Sequence, residues 1–262
     1  MSALLAVIAA LLGISLGLLG AGGAIVAVPA MVYFEGLPPT VASGYALFVV
    51  AVGALVASVR SLRSGGIDWR AALAFGSTTT VAIAAVRAWI VPSLPDVIPV
   101  IGVPRDVVLM LAFGAVLLGA GRAMLRRPAH SQADAPLPSL IKLALYGVVI
   151  GAVSGFLGVG GGFLMTPALV LWARLDMPRA VATSLVLIGA NSAVGVTSDL
   201  LAGAQYDWAF VLTFTGITTA GIMIGMTLSK RIQPDVLRKA FGWFVVMLGL
   251  AVVMQELARL AG

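Results

Sequence analysis

The residues best suited to chemistry in this chain carry almost no side chain. Gly17-Leu18-Leu19-Gly20-Ala21-Gly22-Gly23 runs on to Pro29, and Gly155-Phe156-Leu157-Gly158-Val159-Gly160-Gly161-Gly162 runs on to Pro167, with the two stretches 138 residues apart. Each is followed by a short apolar run, so residues 22–24 and 160–162 are predicted to open short helices. The first N–H groups of a helix have no intrahelical partner, and together they carry about half a positive charge. Glycine lets the backbone come close to a ligand. Two such helix starts facing one another would hold an anion without any Lys or Arg. The competing reading is that these glycines only permit close helix packing; the duplication favours a site.

Hydroxyls and one amide form the next ring of candidates. Ser43, Thr183 and Ser184 sit near the starts of the helices that follow the glycine runs, where a hydroxyl either caps the helix or holds an anion oxygen. Asn191, with Ser192 beside it, falls in mid-helix, facing either a cavity or a neighbouring helix. Thr78, Thr79, Thr80, Thr218 and Thr219 share that ambiguity, with packing favoured because threonine bonds its own helix backbone. The candidate substrate-binding set is therefore Gly20, Gly22, Gly23, Ser43, Gly158, Gly160, Gly161, Gly162, Thr183, Ser184 and Asn191. Arg87 lies inside an apolar run but only a few residues from Pro92, where snorkelling to the interface is easy.

Enzymatic chemistry is not expected. The single histidine, His130, lies in a polar linker, there is no cysteine, and no Ser/His/Asp set, metal cluster or phosphate loop is present. No βαβ unit or ribose-binding acid accompanies the glycines, so they are not a dinucleotide fingerprint, and no cofactor is implied.

The elements that must position these residues belong to a membrane protein. Of 262 residues 61% are apolar and 10% charged, with a mean hydropathy of +1.11. A soluble domain is about 45–50% apolar and 25% charged, and could not hide this much apolar surface. The net charge of +6 comes from a few loops rather than one basic face, so nucleic acid is not an expected partner; the bilayer is. The first twenty residues have a signal-peptide-like core but no basic leader, and they are echoed near Gly155, so they are read as part of the fold. Apolar runs suited to membrane helices fall at 3–20, 41–60, 70–90, 106–124, 140–157, 181–199, 207–229 and 237–257. Two shorter runs, 24–34 and 163–173, each reach only about 16 Å, half of a hydrocarbon core about 30 Å thick.

The halves match beyond the glycines. Asp68-Trp69 and Asp207-Trp208 open equivalent helices, Phe75 matches Phe214, and Thr79-Thr80 match Thr218-Thr219. The sequence divides into a first repeat (1–125), a linker (126–139) and a second repeat (140–262). Short loops rich in Lys and Arg stay in the cytoplasm. Arg60, Arg63 and Arg70 place one loop inside, Arg122, Arg126, Arg127 and Lys142 the linker, and Lys230, Arg231, Arg238 and Lys239 a third. The loop at 199–207 has Asp199 and Asp207 and no basic residue, so it lies outside, although its counterpart at 60–70 lies inside. The predicted fold class is thus an all-α polytopic membrane protein of two inverted repeats. Each repeat is a re-entrant helix/half-helix hairpin plus three transmembrane helices, and both termini are external.

The glycine runs with Pro29 and Pro167, together with Thr183-Ser184, Asn191-Ser192 and Asp207-Trp208, resemble the TauE/SafE family of membrane permeases across essentially the whole chain. The second half carries the pattern better. In the first, Ala24 replaces the third consecutive glycine, Ser43-Gly44 stands for Thr-Ser, and Ala51 takes the place of Asn191. The resemblance implies a multi-pass permease of the cell membrane that exports a small anion, sulfite or an organosulfonate, by alternating access as the repeats rock against each other. The alternatives are uptake, a small carboxylate as substrate, or a non-transporting scaffold. A homodimer is a plausible assembly.

Overall fold

The computed structural model describes residues 3–261 apart from 21–26, 29–30, 33, 64, 91–96, 99–102, 127–137, 158–161 and 202; for a few more, Arg87 among them, it describes the backbone alone. Nine helices carry the described chain: α1 (Ala3–Leu19), α2 (Pro39–Arg63), α3 (Trp69–Ala85), α4 (Arg105–Arg126), α5 (Leu140–Leu157), α6 (Gly162–Leu171), α7 (Met177–Leu201), α8 (Trp208–Ser229) and α9 (Pro234–Ala261). A π-helical turn, Val86–Ile90, extends α3. The expectation of helix alone needs one small correction, because Val97–Ile98 (β1) and Val103–Pro104 (β2) form a two-residue antiparallel ladder ahead of α4. That segment contains Pro92, Pro95 and Pro99, and proline disfavours a continuing helix.

Among the described residues four helices are long and apolar enough to cross a bilayer: Val41–Arg63, Met177–Leu201, Trp208–Ser229 and Pro234–Ala258. The short α6 appears as expected, starting at Gly162 with Pro167 inside it. That proline has no N–H to offer the Phe163 carbonyl one turn earlier. Of the matching 24–34 run, the described residues Ala27, Val28, Met31, Val32 and Phe34 are helical.

Each principal packing pair joins a helix from one half of the sequence to a helix from the other: α1 with α8, α3 with α5, α4 with α9, and α2 with α7. Lipid is as apolar as leucine, so close backbone approach through small residues must hold such pairs together. Gly13 and Gly17 of α1 lie against the Thr218 and Ile222 carbonyls, and Gly221 and Gly225 of α8 lie against those of Ala10 and Ile14. Gly147 and Gly151 of α5 meet the backbone of α3 at Phe75 and Thr79. Gly114 and Gly121 of α4 face Gly249 and Gly242 of α9, where the buried Arg238 also donates to the Met124 carbonyl.

These contacts fix relative directions. Residue numbers rise together along α1–α8, α2–α8, α3–α5 and α3–α7, so the helices of each pair run in parallel. They run oppositely along α2–α7, where Leu55 lies beside Gly189 and Leu47 beside Gly195. Two apolar clusters result. The smaller gathers Leu5, Ala27, Met31, Tyr45 and Phe214 around the first short helix, and the larger gathers Leu164, Met165, Leu169, Phe75 and Leu185 around α6.

Candidate functional site

Asp68 and Asp207 cap α3 and α8 in the same way. Each carboxylate accepts from the N–H three residues on, Ala71 at 2.9 Å and Phe210 at 3.1 Å, as an N-cap should. Each aspartate also donates its own backbone N–H to a hydroxyl from the other half of the chain. Asp68 donates to Thr183 Oγ1 at 3.0 Å and Asp207 to the Tyr45 hydroxyl at 2.7 Å. Thr183 is completely buried and so seats the start of α3.

The residue after it turns the other way. Ser184, also fully buried, accepts from Thr166 Oγ1 at 2.9 Å and lies 3.0 Å from the Val181 carbonyl and 3.4 Å from that of Gly20. Gly20 has φ +76, and a side chain there would press on Ser184 Oγ and Val181, so both its conformation and its setting call for glycine. Gly20 therefore lies against α7, next to Thr166 of α6, and Gly20, Ser184 and Thr166 form one cluster.

Asn191 lies two turns further along α7, close to its middle. Its Oδ1 is 2.7 Å from Thr80 Oγ1, which also bonds the Gly76 carbonyl within α3. Asn191 Nδ2 is buried with no partner among the described residues. The same holds for Ser154 Oγ on α5 and for the Thr215, Thr218 and Thr219 hydroxyls at the middle of α8. Thr219 faces Gly53 of α2. Since Tyr45, not Ser43, answers to Thr183 in the bonds to the two aspartates, it is Gly53 rather than the expected Ala51 that stands in the place of Asn191. Buried polar groups are nearly always bonded, so the four orphaned groups at the middle of α7 and α8 mark a place where water or a ligand completes the bonding. All of them can donate a hydrogen, and no carboxylate lies at this depth among the described residues.

The other expected residues stand apart. Ser43 is exposed at the start of α2, away from this centre. Gly162 is the first residue of α6, while Gly22, Gly23, Gly158, Gly160 and Gly161 lie outside the described residues. Thr78 and Thr79 do what the packing reading expects. They bond their own helix one turn back and the Ala144 and Gly147 carbonyls of α5. Tyr45, Thr166 and Gly53 were absent from the candidate set. Thr166, a hydroxyl inside the short helix after the glycine run, had a legible signal; Tyr45 and Gly53 had none.

At the α2–α8 end the packing is aromatic. Tyr45 lies 5.3 Å from Tyr206 and 5.9 Å from Phe210, and Tyr206 stacks on Trp208 at 5.4 Å. The Tyr206 hydroxyl donates to the Gly44 carbonyl at 3.2 Å. Burial, then the neighbouring Asp199 carboxylate and Tyr45, push its ionisation above the ordinary tyrosine value.

An apolar helical bundle with hydrogen-bond donors gathered at its mid-depth is the build of a membrane transporter. The chain belongs to the sulfite exporter TauE/SafE family, whose model matches residues 5–252. It is 30% identical over 255 residues to a probable membrane transporter protein of Xylella fastidiosa strain Temecula1, covering 95% of this chain and 94% of that one. A probable membrane transporter protein of Methanocaldococcus jannaschii is 25% identical over 265 residues, covering 96% and 95%. A sulfite exporter TauE/SafE family protein 3 of Arabidopsis thaliana is 25% identical over 136 residues, 51% of this chain and 28% of the plant protein. No solved structure matches.

Proposed function

We propose that the protein is a multi-pass permease of the cell membrane that exports a small oxyanion, sulfite or an organosulfonate, by alternating access. The observation that carries this reading is the set of unpartnered donors at mid-helix, Asn191 Nδ2 with the Thr215, Thr218 and Thr219 hydroxyls. An anion accepts from all of them, and Asn191 Nδ2, a donor only, has no lone pair to offer a cation. Outward movement of an anion across an inside-negative membrane gains about 2.3 kcal/mol per charge per 100 mV, so a central proton-carrying carboxylate is not required.

Helix directions support the inverted repeat. With the arginine-bearing end of α2 and α8 taken as cytoplasmic, α1, α2 and α8 run inward, while α3, α5 and α7 run outward. Since α1 and α2 run the same way, as do α5 and α7, each connection between them returns to the side where it began. Each half then contributes a hairpin that does not cross, entering from opposite faces. The moving bodies in this reading are not the sequence halves, whose helices interleave. They are the glycine-locked pairs α1–α8 and α3–α5, tilting about the central α2–α7 crossing.

Flux assays in proteoliposomes with sulfite, sulfoacetate and acetate test the substrate. Transport of the sulfur oxyanions in preference to acetate is expected; acetate alone would make it a carboxylate permease, and no flux of any anion would end the proposal. A tag at the N-terminus is expected to be accessible from outside the cell, and a cytoplasmic N-terminus would overturn the inverted arrangement.

A further inference from the structure

We infer that an open groove between α2 and α8 is a binding site for the phosphodiester headgroup of an anionic phospholipid, separate from the transport centre. The groove has a volume of about 450 Å³ and is lined by Arg60, Met223, Ile224, Thr227, Leu228 and Arg231. Two of the described lining residues are arginines, and none of them is acidic. Arg60 is already positioned, donating from Nη1 to the Met223 carbonyl at 3.3 Å and from Nη2 to Thr227 Oγ1 at 3.0 Å. A guanidinium has five N–H donors, so Arg60 keeps three for a ligand and the exposed Arg231 brings its own. The planar fork of each matches phosphate oxygens.

The apolar side of the groove selects lipid over a free anion. Ile224 is 57% exposed and Leu228 43% exposed, and they continue the outer stripe of α8 through Leu212 and Gly216. That stripe faces hydrocarbon if α8 spans the bilayer, so an acyl chain can lie along Ile224 while its headgroup sits between the arginines. The place is the last turns of both helices, where a headgroup lies and where basic pockets between helices recognise anionic lipids. Thr219 and Gly53 are about two turns deeper, so the headgroup does not occupy the proposed substrate centre.

The test uses the full-length protein purified in detergent, with lipid binding followed by native mass spectrometry and by the unfolding midpoint. Phosphatidylglycerol is expected to bind and stabilise more strongly than phosphatidylcholine, with inorganic phosphate giving no comparable shift. Arg231→Gln, which removes no internal bond, is expected to weaken phosphatidylglycerol about fivefold, and adding Arg60→Gln to weaken it by a similar factor again. The doubly conservative Arg60→Lys/Arg231→Lys protein keeps most of the preference and controls for folding. Equal binding of the two lipids, a preference surviving in the Gln variants, or a phosphate shift as large as the lipid's would each overturn the assignment. Conversion of a dimer to monomers by the Gln variants, with no change in lipid preference, would also overturn it and make the groove an interface between copies.

Discussion

The two places where an aspartate-capped helix start meets the other half of the chain use one device and finish it differently. At Asp68 the accepting hydroxyl is Thr183, followed at once by Ser184, Thr166 and Gly20, all small. At Asp207 it is Tyr45, surrounded by Tyr206, Phe210 and Trp208. The backbone geometry needs only an oxygen at that point, so the rest of the side chain is free to diverge. One junction becomes a buried cluster of small hydroxyl residues and the other an aromatic plug. The same contrast recurs at mid-depth, where Thr80 is paired with Asn191 but its counterpart Thr219 faces Gly53. The two helix starts are capped alike, while the side chains that meet them differ.

Overpacking the frame should cost most, and equally in the two glycine-locked pairs. Gly221→Leu in α8 and Gly147→Leu in α5 drive a side chain into a neighbouring backbone, so each is expected to lose about 3 kcal/mol or more and to sharply reduce folded yield in detergent. Loss of one protein and not the other would break the equivalence of the two glycine-locked pairs.

The polar centre should respond unequally. If Asn191 bonds a charged substrate as proposed, Asn191→Ala is expected to cost about 1.5–3 kcal/mol, or roughly a ten- to hundredfold loss of flux. Thr219→Val, facing Gly53, is expected to cost less than about fivefold. Comparable losses in the same proteoliposome assay would show a symmetric centre.

The caps should again be equal. Asp68→Ala and Asp207→Ala each forfeit one N-cap, about 1 kcal/mol, measured as the unfolding midpoint in detergent.

The smallest effect belongs to the aromatic plug. Since the folded protein raises the ionisation of Tyr206, its contribution to stability is complete below the ordinary tyrosine value near 10 and is lost as pH rises through the folded value. An alkaline spectrophotometric titration should show a late-ionising component that is lost in Tyr206→Phe and shifts downward in Asp199→Asn.

Much of this frame was legible because bilayer physics writes it in composition. Apolar run lengths located all the long helices, with α7 and α9 starting four and three residues before their apolar runs at Met177 and Pro234. Asp-Trp marked two helix starts, since a capping carboxylate followed by an interfacial ring has few other uses. The cross-half pairing was not legible. Gly13 with Gly17, and Gly221 with Gly225, have the spacing of close-packed helices, but glycine is common in such helices and spacing does not name a partner. Nor could the sequence separate Thr183 from Ser184. Adjacent residues on a helix point about 100° apart, and here one serves the frame and the other the cluster at Gly20.

The interleaving of the halves bears on how the molecule is made. While the ribosome has delivered only residues 1–125, the glycine faces of α1 and α4 have no partner, because α8 and α9 do not yet exist. Synthesis at about 5–20 residues per second leaves the early helices waiting many seconds with their contact stripes bare. The first half is therefore a nascent chain in need of shelter rather than a folding unit, and its completion depends on α8 and α9, which are made about a hundred residues later.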